Sequence, residues 1–228
     1  MKKLVFLTGA GISAESGIPT FRDSVDGLWE NYDVDAVATS KAIRTNPEVV
    51  YRFCNELRKK YESCKPNDAH KMIAELEKDY EVYVITQNID NLHEQAGSTN
   101  VLHLHGELNK VRAVDNDNLL FDYTEDITPN TEINGHKVRP HVVLFGEAVP
   151  NIEIASKILC DADICVVIGT SFNVYPAAGL VDYVDVDNPI YYIDPNPAPI
   201  PDYPDIIVIK ETATKGMKDL CQALESLK

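Results

Sequence analysis

The sequence has little positive charge. Its 228 residues carry 21 Lys and Arg against 36 Asp and Glu, a formal net charge of −15 at pH 7. A surface of this sign repels phosphates, so we predict no nucleic-acid partner. No window approaches the ~20 apolar residues of a membrane-spanning helix, and we predict no membrane association. The apolar stretch within residues 1–7 is too short for the core of a signal peptide.

Cysteine is scarce and follows no ligand pattern. The five cysteines, at positions 54, 64, 160, 165 and 221, are odd in number and include no C-x-x-C pair. This arrangement predicts neither a disulfide framework nor a zinc knuckle. Because such a chain suits a reducing compartment, we predict a cytoplasmic location.

Short apolar runs, rich in Val, Ile and Tyr, predict buried parallel strands. They cover residues 4–8, 82–86, 164–169, 190–194 and 206–209. Between them lie helical patterns with start signals, Asn46-Pro47 and Asn67, and a last helix is predicted after Thr214. Strands that alternate with helices predict an α/β fold with a Rossmann-like, doubly wound parallel sheet.

Residues 107–139 differ in character from the rest of the chain. They contain few apolar runs, and Asn134-Gly135 is a turn signal that predicts a hairpin. We therefore predict a small helical and hairpin domain formed by insertions, residues 31–79 and 107–139. The Rossmann-like domain is then made of residues 1–30, 80–106 and 140–228.

The first predicted strand ends in a glycine-rich turn with the G-x-G-x-x-A spacing of dinucleotide sites. Its residues are Gly9, Ala10, Gly11 and Ala14. Backbone amides and a helix N-terminus can hold a pyrophosphate there, although a tight strand-to-helix connection without a ligand would give the same pattern. A second turn of this kind, at residues 169–171, precedes Asp194 at the end of the next strand. That order is unusual for a dehydrogenase.

Two loops are further candidates for ligand contact. Thr20, Phe21 and Arg22 place a hydroxyl, a ring and a cation beside the first turn, where they either close over a cofactor or form a surface loop. Residues 87–90, Gln-Asn-Ile-Asp, follow a predicted strand at the edge where α/β sheets bind ligands. Their Asn and Asp either grip an amide and a ribose or cap the next helix.

Two histidines follow, at positions 103 and 105. On an extended segment both side chains lie on one face, so their spacing does not decide which of them acts. Histidine suits a general base near neutral pH. A metal pair is the other hypothesis, but the sequence offers no evident third ligand, and we predict no metal.

Taken together, these segments resemble the sirtuin family of NAD-dependent protein lysine deacylases. The similar segments are residues 9–22, 86–90, 105–106, 139–147 and 169–171, in family order and over nearly the whole chain. The first two are far more specific than a bare glycine-rich turn. The resemblance implies NAD as the cofactor and an acyl-lysine protein or peptide as the partner.

The resemblance also implies a role for each matching residue. His105 is the implied catalytic base, and Asn88 is the second implied catalytic residue, at the nicotinamide ribose. The other implied NAD contacts are Gly9, Ala10, Gly11, Ala14, Thr20, Phe21, Arg22, Gln87, Ile89, Asp90, Gly169, Thr170, Ser171, Asp194, Asn196 and Ala213. Val143 and Phe145 would line an acyl-lysine tunnel. The substrate backbone would pair with residues on either side, namely Gly146, Glu147, Asn173, Val174 and Tyr175.

The sequence departs from the family pattern at two places. Most members bind zinc through two C-x-x-C pairs after the catalytic histidine, whereas residues 107–139 hold no cysteine, so we predict a metal-free small domain. Members that remove succinyl and malonyl groups often carry a Tyr-x-x-Arg pair, and here Cys54 and Leu57 stand at those positions. Arg58 and Lys60 are expected on other faces of the helix. A buried acyl carboxylate would thus stay unpaired, and we predict a deacetylase.

The predicted reaction is NAD-dependent lysine deacylation that releases nicotinamide and O-acyl-ADP-ribose. Two alternatives stay open. An ADP-ribosyltransferase or NAD hydrolase on the same scaffold would pass ADP-ribose to a side chain or to water. A noncatalytic NAD-sensing module would bind NAD without releasing nicotinamide.

Overall fold

The computed structural model describes residues 1–20, 33–170, 175–198 and 205–226. The strands are β1 (Lys3–Thr8), β2 (Glu81–Thr86), β3 (Val101–His103), β4 (Gly106–Ala113), β5 (Leu120–Asp122), β6 (Glu132–Ile133), β7 (His136–Val142), β8 (Ile164–Ile168), β9 (Ile190–Ile193) and β10 (Ile207–Ile209). The α-helices are α1 (Ala10–Ser13), α2 (Val34–Val37), α3 (Ser40–Thr45), α4 (Pro47–Glu62), α5 (Asp68–Glu75), α6 (Leu92–Ala96), α7 (Ile152–Cys160) and α8 (Ala213–Glu225). Short 3₁₀ helices cover Ala14–Ser16, Leu76–Lys78 and Ala177–Tyr183.

Six strands form one parallel sheet in the order β10-β9-β8-β1-β2-β3. Leu4 of β1 lies opposite Val82 of β2 on one side and Ile164 of β8 on the other. The chain builds the sheet outward in both directions from β1, so the strand order reverses between β1 and β8. In such sheets ligands bind beyond the carboxyl ends of the strands at the reversal.

Different helices cover the two faces of this sheet. Successive side chains of a strand point to opposite faces, and in β1 Leu4 and Phe6 pack with α5 and α8. Val5 and Leu7 pack on the other face, with α7 and the Ala177–Tyr183 helix. All four side chains are fully buried. The predicted Rossmann-like, doubly wound α/β fold is confirmed.

A second, antiparallel sheet has the order β5-β4-β7-β6. The two-residue turn between β6 and β7 places Asn134 at φ 52 and Gly135 at φ 83, the left-handed values that tight hairpins require. The predicted hairpin at this turn is confirmed. Helix α4 covers the sheet: Tyr51 packs with Val111 and Val138.

Some elements differ from the sequence-based expectation. Strand β3 and helices α2 and α3 are short and were not predicted, and α8 begins at Ala213, ahead of the predicted start after Thr214. Helix α5 packs in the core of the parallel sheet. The predicted domain bounds stay a prediction, and this packing favours a boundary before Asp68. Among the described helices, none combines the length and apolarity needed to cross a membrane.

Candidate functional site

Two glycine turns meet at the reversal of strand order. The N–H of Gly9 donates to Ile168 O at 3.0 Å, and the N–H of Gly11 donates to Gly169 O at 2.9 Å. Gly169 has φ +62, and a Cβ on Gly11 would stand 2.5 Å from the Cα of Gly169. Only glycine allows this approach. Because both amides already donate within the protein, these two N–H groups are not available to a ligand. The turn instead lets a ligand approach a stretch of backbone that carries no side chains.

A buried polar network lies beside the first turn. The Nδ2 of Asn88 donates to Gly9 O at 3.2 Å and to Ser13 Oγ at 3.1 Å, and Ser13 Oγ donates to Asp90 Oδ2 at 3.0 Å. Asn88 is 8% exposed and Asp90 6%. The structure therefore brings the first turn and the 87–90 loop together. Ser13 was not among the predicted site residues, although it stands inside the glycine-rich segment.

Asp90 serves the helix and the network at once. Its Oδ1 accepts the N–H of Leu92, the first residue of α6, at 3.1 Å, while Oδ2 faces Ser13; the N-cap position itself is Asn91, whose side chain makes no cap bond. Burial raises the pKa of Asp90. Gln87 connects this loop to the second glycine turn, because its Nε2 donates to Thr170 Oγ1 at 3.1 Å. Ile89 is half-buried and packs against the apolar cluster that contains Leu108 and Val142.

The structure separates the two histidines that sequence spacing leaves equivalent. His105 Nδ1 lies 2.9 Å from Gln87 O; because a carbonyl only accepts, Nδ1 carries the hydrogen and the neutral ring has a bare Nε2. Burial lowers the pKa of His105, which keeps the ring neutral near pH 7. Both ring nitrogens of His103 are occupied, by Asn88 O and Glu94 Oε1. His105 thus has the geometry of a general base, and His103 does not.

The predicted acyl-lysine segment lies next to His105. The Val143 N–H donates to His105 O at 2.9 Å. Two bonds of 2.8 Å fix the following residues, from Phe145 N–H to Ala38 O and from Ser40 N–H to Phe145 O. Val143 is half-buried, and the Phe145 ring is 50% exposed. An apolar side chain thus flanks the crevice on this side.

The side chain of Glu147 faces the antiparallel sheet β5-β4-β7-β6, called the small sheet below. Arg139 Nη1 donates to its Oε1 at 2.7 Å, and Arg112 Nη2 and the Leu144 N–H donate to its Oε2 at 3.3 Å and 3.0 Å. Burial alone would raise the pKa of Glu147, but these hydrogen bonds and the two arginines hold it below its usual value. The Glu147 side chain is therefore bound within the protein, and its N–H donates to Leu144 O at 2.9 Å. The neighbouring Gly146 is exposed.

The residues predicted to bind the adenosine part of NAD lie at the end of β9 and at the start of α8. Asp194 is 7% exposed at the end of β9, and its Oδ1 accepts the Asn196 N–H at 2.8 Å. Ala213 is buried at the start of α8. Glu15, which was not predicted, joins these parts: its carboxylate accepts the Thr214 N–H at 2.9 Å and the Thr214 hydroxyl at 2.7 Å.

The remaining predicted residues lie at the rim or outside the described chain. Ala10 and Thr20 are half-buried and Ala14 is exposed. Tyr175 is 76% exposed. Phe21, Arg22, Ser171, Asn173 and Val174 lie outside the described residues.

Similar proteins are known, both by sequence and by structure. A model of the Sir2 family matches residues 9–176. An NAD-dependent protein deacylase of Bacteroides thetaiotaomicron is 48% identical over 98% of this chain and 98% of its own length, and one of Helicobacter pylori is 46% identical over 98% of both. The crystal structure of a complex between a Sir2 homologue and NAD superposes with a TM-score of 0.87 at 38% identity, covering 99% of this chain and 90% of that one.

Proposed function

The chain belongs to the Sir2 family, and from this premise we propose that it is an NAD-dependent protein lysine deacylase that acts as a deacetylase. The observation that carries this proposal is the His105 ring. Its Nδ1–H is committed to Gln87 O, and among the described residues its Nε2 has no hydrogen-bond partner. A neutral imidazole held in this way can accept a proton without reorienting.

The residues at the reversal of strand order suit NAD. The contact between Gly11 and Gly169 leaves no room for a side chain, as expected of a turn that a pyrophosphate approaches closely. The Asp194 carboxylate at the end of β9 is of the right chemistry to accept ribose hydroxyls. We assign Gly9, Ala10, Gly11, Ala14, Thr20, Phe21, Arg22, Gln87, Asn88, Ile89, Asp90, Gly169, Thr170, Ser171, Asp194, Asn196 and Ala213 to the NAD site.

NAD, when bound, would supply C1′ of its nicotinamide ribose as the carbon that the acyl oxygen of the modified lysine attacks while nicotinamide leaves. His105 would remove the proton of a ribose hydroxyl, whose oxygen then bonds to the acyl carbon. The lysine nitrogen would leave as the free amine, and one water would supply the oxygen that completes O-acyl-ADP-ribose. Asn88, held by Gly9 and Ser13, orients the ribose. Val143 and Phe145 shield the reacting carbon from bulk water, because bulk water would otherwise hydrolyse NAD.

The protein substrate binds beside Val143 and Phe145. The backbone of Gly146 and Glu147 on one side and of Asn173, Val174 and Tyr175 on the other pairs with it as added strands. The Arg112 and Arg139 contacts to Glu147 support this arrangement, because they hold one of the two edges against the small sheet.

The small domain folds without zinc. Residues 107–139 hold no cysteine, and Cys54 and Cys64 lie apart on α4 and just after it. Hydrogen bonds from α4 take the place of a metal: Asn55 exchanges two bonds with the backbone of Ile127. All five cysteines are free thiols, which supports a reducing location, the cytoplasm.

Removing the imidazole tests the proposed function. We expect His105→Ala to lower deacetylation by about 100-fold or more, the size of a positioned general base. His136→Ala is the matched control, because its ring lies on the small sheet and pairs with Asp115. The measurement is NAD-dependent turnover of an acetyl-lysine peptide, followed by mass spectrometry.

The products distinguish the alternatives. O-acetyl-ADP-ribose supports the proposal. ADP-ribose joined to protein would instead identify a transferase, and free ADP-ribose would identify an NAD hydrolase. NAD binding without release of nicotinamide would identify a noncatalytic module, and near-normal turnover by His105→Ala would remove the role of the base.

A further inference from the structure

Two imidazoles hold two consecutive carbonyls of the 87–90 loop. His105 Nδ1 lies 2.9 Å from Gln87 O, and His103 Nδ1 lies 2.9 Å from Asn88 O. His103 ends β3, and His105 follows in the bend after it. The loop proposed to face nicotinamide is thus supported by a pair of side chains, of which only one has the geometry of a base.

His103 differs from His105 in its second nitrogen. Its Nε2 lies 2.8 Å from Glu94 Oε1 on α6, and the His103 side chain is 6% exposed. Burial lowers the pKa of His103, but the hydrogen bond to Glu94 and the nearby carboxylate of Glu107 outweigh burial and raise it. Both ring nitrogens face acceptors, Asn88 O and Glu94 Oε1, and the protonated ring can donate to both at once.

The carbonyl of Asn88 has no other support among the described contacts of this residue. The Asn88 N–H donates to Thr86 Oγ1 at 3.1 Å, and the side chain donates to Gly9 and Ser13. Among the described contacts, the bond from His103 is the one that reaches the Asn88 carbonyl. The next carbonyl, Ile89 O, accepts the Leu108 N–H at 2.9 Å, and Asp90 is held by Ser13 and Leu92, so the peptide unit after Asn88 is the part of this loop that depends on His103.

We propose that His103, anchored by Glu94, is a positioning residue for the nicotinamide side of the site. The inference rests on the proposed function. By holding the Asn88 carbonyl, His103 keeps the backbone and the side chain of Asn88 in the geometry that the reaction of NAD requires, without touching the reacting atoms.

A metal site is the other use that this cluster suggests. Ligand atoms of Glu94, His103 and Glu107 lie within 4.8 Å of one another. However, Lys110 Nζ lies 2.9 Å from Glu107 Oε1. With His103 protonated, two cations already balance two carboxylates. The charges are complete without a metal, and the cluster is better explained as an ion-pair network.

Two substitutions of His103 separate positioning from stability. The amide nitrogen of Asn can take the place of imidazole Nδ1, and that of Gln can take the place of Nε2. His103→Asn thus keeps the donor to Asn88 O and loses Glu94, whereas His103→Gln keeps Glu94 and loses Asn88 O. Each variant thus loses one of the two hydrogen bonds that the His103 ring makes.

We expect kcat to fall about tenfold in His103→Gln, with a smaller change in KM for peptide, and to stay within about twofold in His103→Asn. Melting temperatures of the two variants should be similar. His136→Gln is the control, because it makes the same substitution in a ring that pairs with Asp115. Equal kcat values in the Asn and Gln variants, with the wild type active, would overturn the positioning role. An inactive wild type would instead refute the proposed function.

The pH profile supplies a second readout. The groups that face the His103 ring are Glu94 and His93 from α6, Glu107 from β4, Asp90 from the loop and His141 from β7. Above its raised pKa the neutral ring keeps one hydrogen, so Glu94 and Asn88 O compete for it and kcat should fall on the alkaline side. Glu94→Ala removes the competitor, and its alkaline decline should disappear. A wild-type decline that persists in Glu94→Ala would contradict the proposal.

Discussion

Cys54 and Leu57 lie one turn apart on α4, at the positions that bear on acyl selectivity. Both are buried in an apolar cluster with Val142 and Leu144, against which Ile89 packs. Burial raises the pKa of the Cys54 thiol to about 12, so that side chain is neutral. The guanidinium of Arg58, the nearby cation on α4, is bonded through Nε and Nη1 to Leu108 O, Asn55 Oδ1 and Glu125 O, whereas its buried Nη2 has no hydrogen-bond partner among the described residues.

Because these bonds hold Arg58 against residues 108 and 125, we expect an acyl group that ends in a carboxylate to enter this cluster without a counter-ion. Leaving such a charge unpaired costs about 3 kcal/mol or more, which corresponds to about 100-fold in rate. We expect kcat/KM for an acetyl-lysine peptide to exceed that for the matched succinyl-lysine peptide by this factor. Adding the missing pair in Cys54→Tyr/Leu57→Arg should narrow the ratio. A wild-type preference for succinyl-lysine would show that another cation serves the tunnel.

At the scale of elements, side chains of α4 donate hydrogen bonds to the backbone of the small sheet and of the segment before it, and these bonds attach the helix to the sheet. Asn55 Nδ2 donates to Ile127 O at 2.8 Å, and the Ile127 N–H donates to Asn55 Oδ1 at 3.1 Å. Arg58 Nε donates to Leu108 O at 2.7 Å, and the Tyr51 hydroxyl donates to Val138 O at 3.0 Å. These bonds reach three separate segments, which a metal would otherwise tie together.

Truncating Asn55 should loosen this attachment. Asn55→Ala leaves the buried N–H and C=O of Ile127 unpaired, a cost of about 3 kcal/mol, which lowers Tm by roughly 6–12 °C in a chain of this size. Asn130→Ala, in an exposed loop, is the control and should leave Tm unchanged. A chelator should leave Tm unchanged in the wild type. Finding one zinc per chain by metal analysis, or a fall of Tm with the chelator, would refute the metal-free small domain.

At the scale of the whole molecule, the parallel sheet could be predicted because its long strands are continuous apolar runs, such as residues 164–168. Strand β3 could not, since it has three residues, two of them half-buried. The glycine-rich segment and the 87–90 loop pointed to the site by themselves. The different roles of His103 and His105 could not be predicted, because they depend on Asn88, Gln87 and Glu94, which tertiary structure brings to the rings.

Two buried histidines make the stability of the whole fold sensitive to acid. His70 on α5 and His93 on α6 are 0% and 1% exposed, with ring centroids 4.9 Å apart. His93 Nε2 lies 3.1 Å from Thr8 Oγ1, whereas in the described part of the chain neither nitrogen of His70 has a hydrogen-bond partner. Burial lowers the pKa of His70 to about 4, and that of His93 falls well below its usual value.

Because the unfolded chain binds these two protons near pH 6.5 and the folded chain does not, stability should fall as pH drops below about 6.5. Each histidine contributes up to about 1.4 kcal/mol per pH unit. His103, whose pKa is raised, contributes stability that is complete below about pH 6.5 and is lost above it, so it adds no slope in this acid range. We expect His70→Phe to reduce the decline in the free energy of unfolding between pH 6.5 and 4.5 by about 2 kcal/mol, measured by urea titration; His93, His105 and His141, whose pKa values burial also lowers, contribute to the rest. His136→Phe, on the exposed hairpin, should keep the wild-type slope; if His70→Phe keeps it too, the acid sensitivity arises elsewhere.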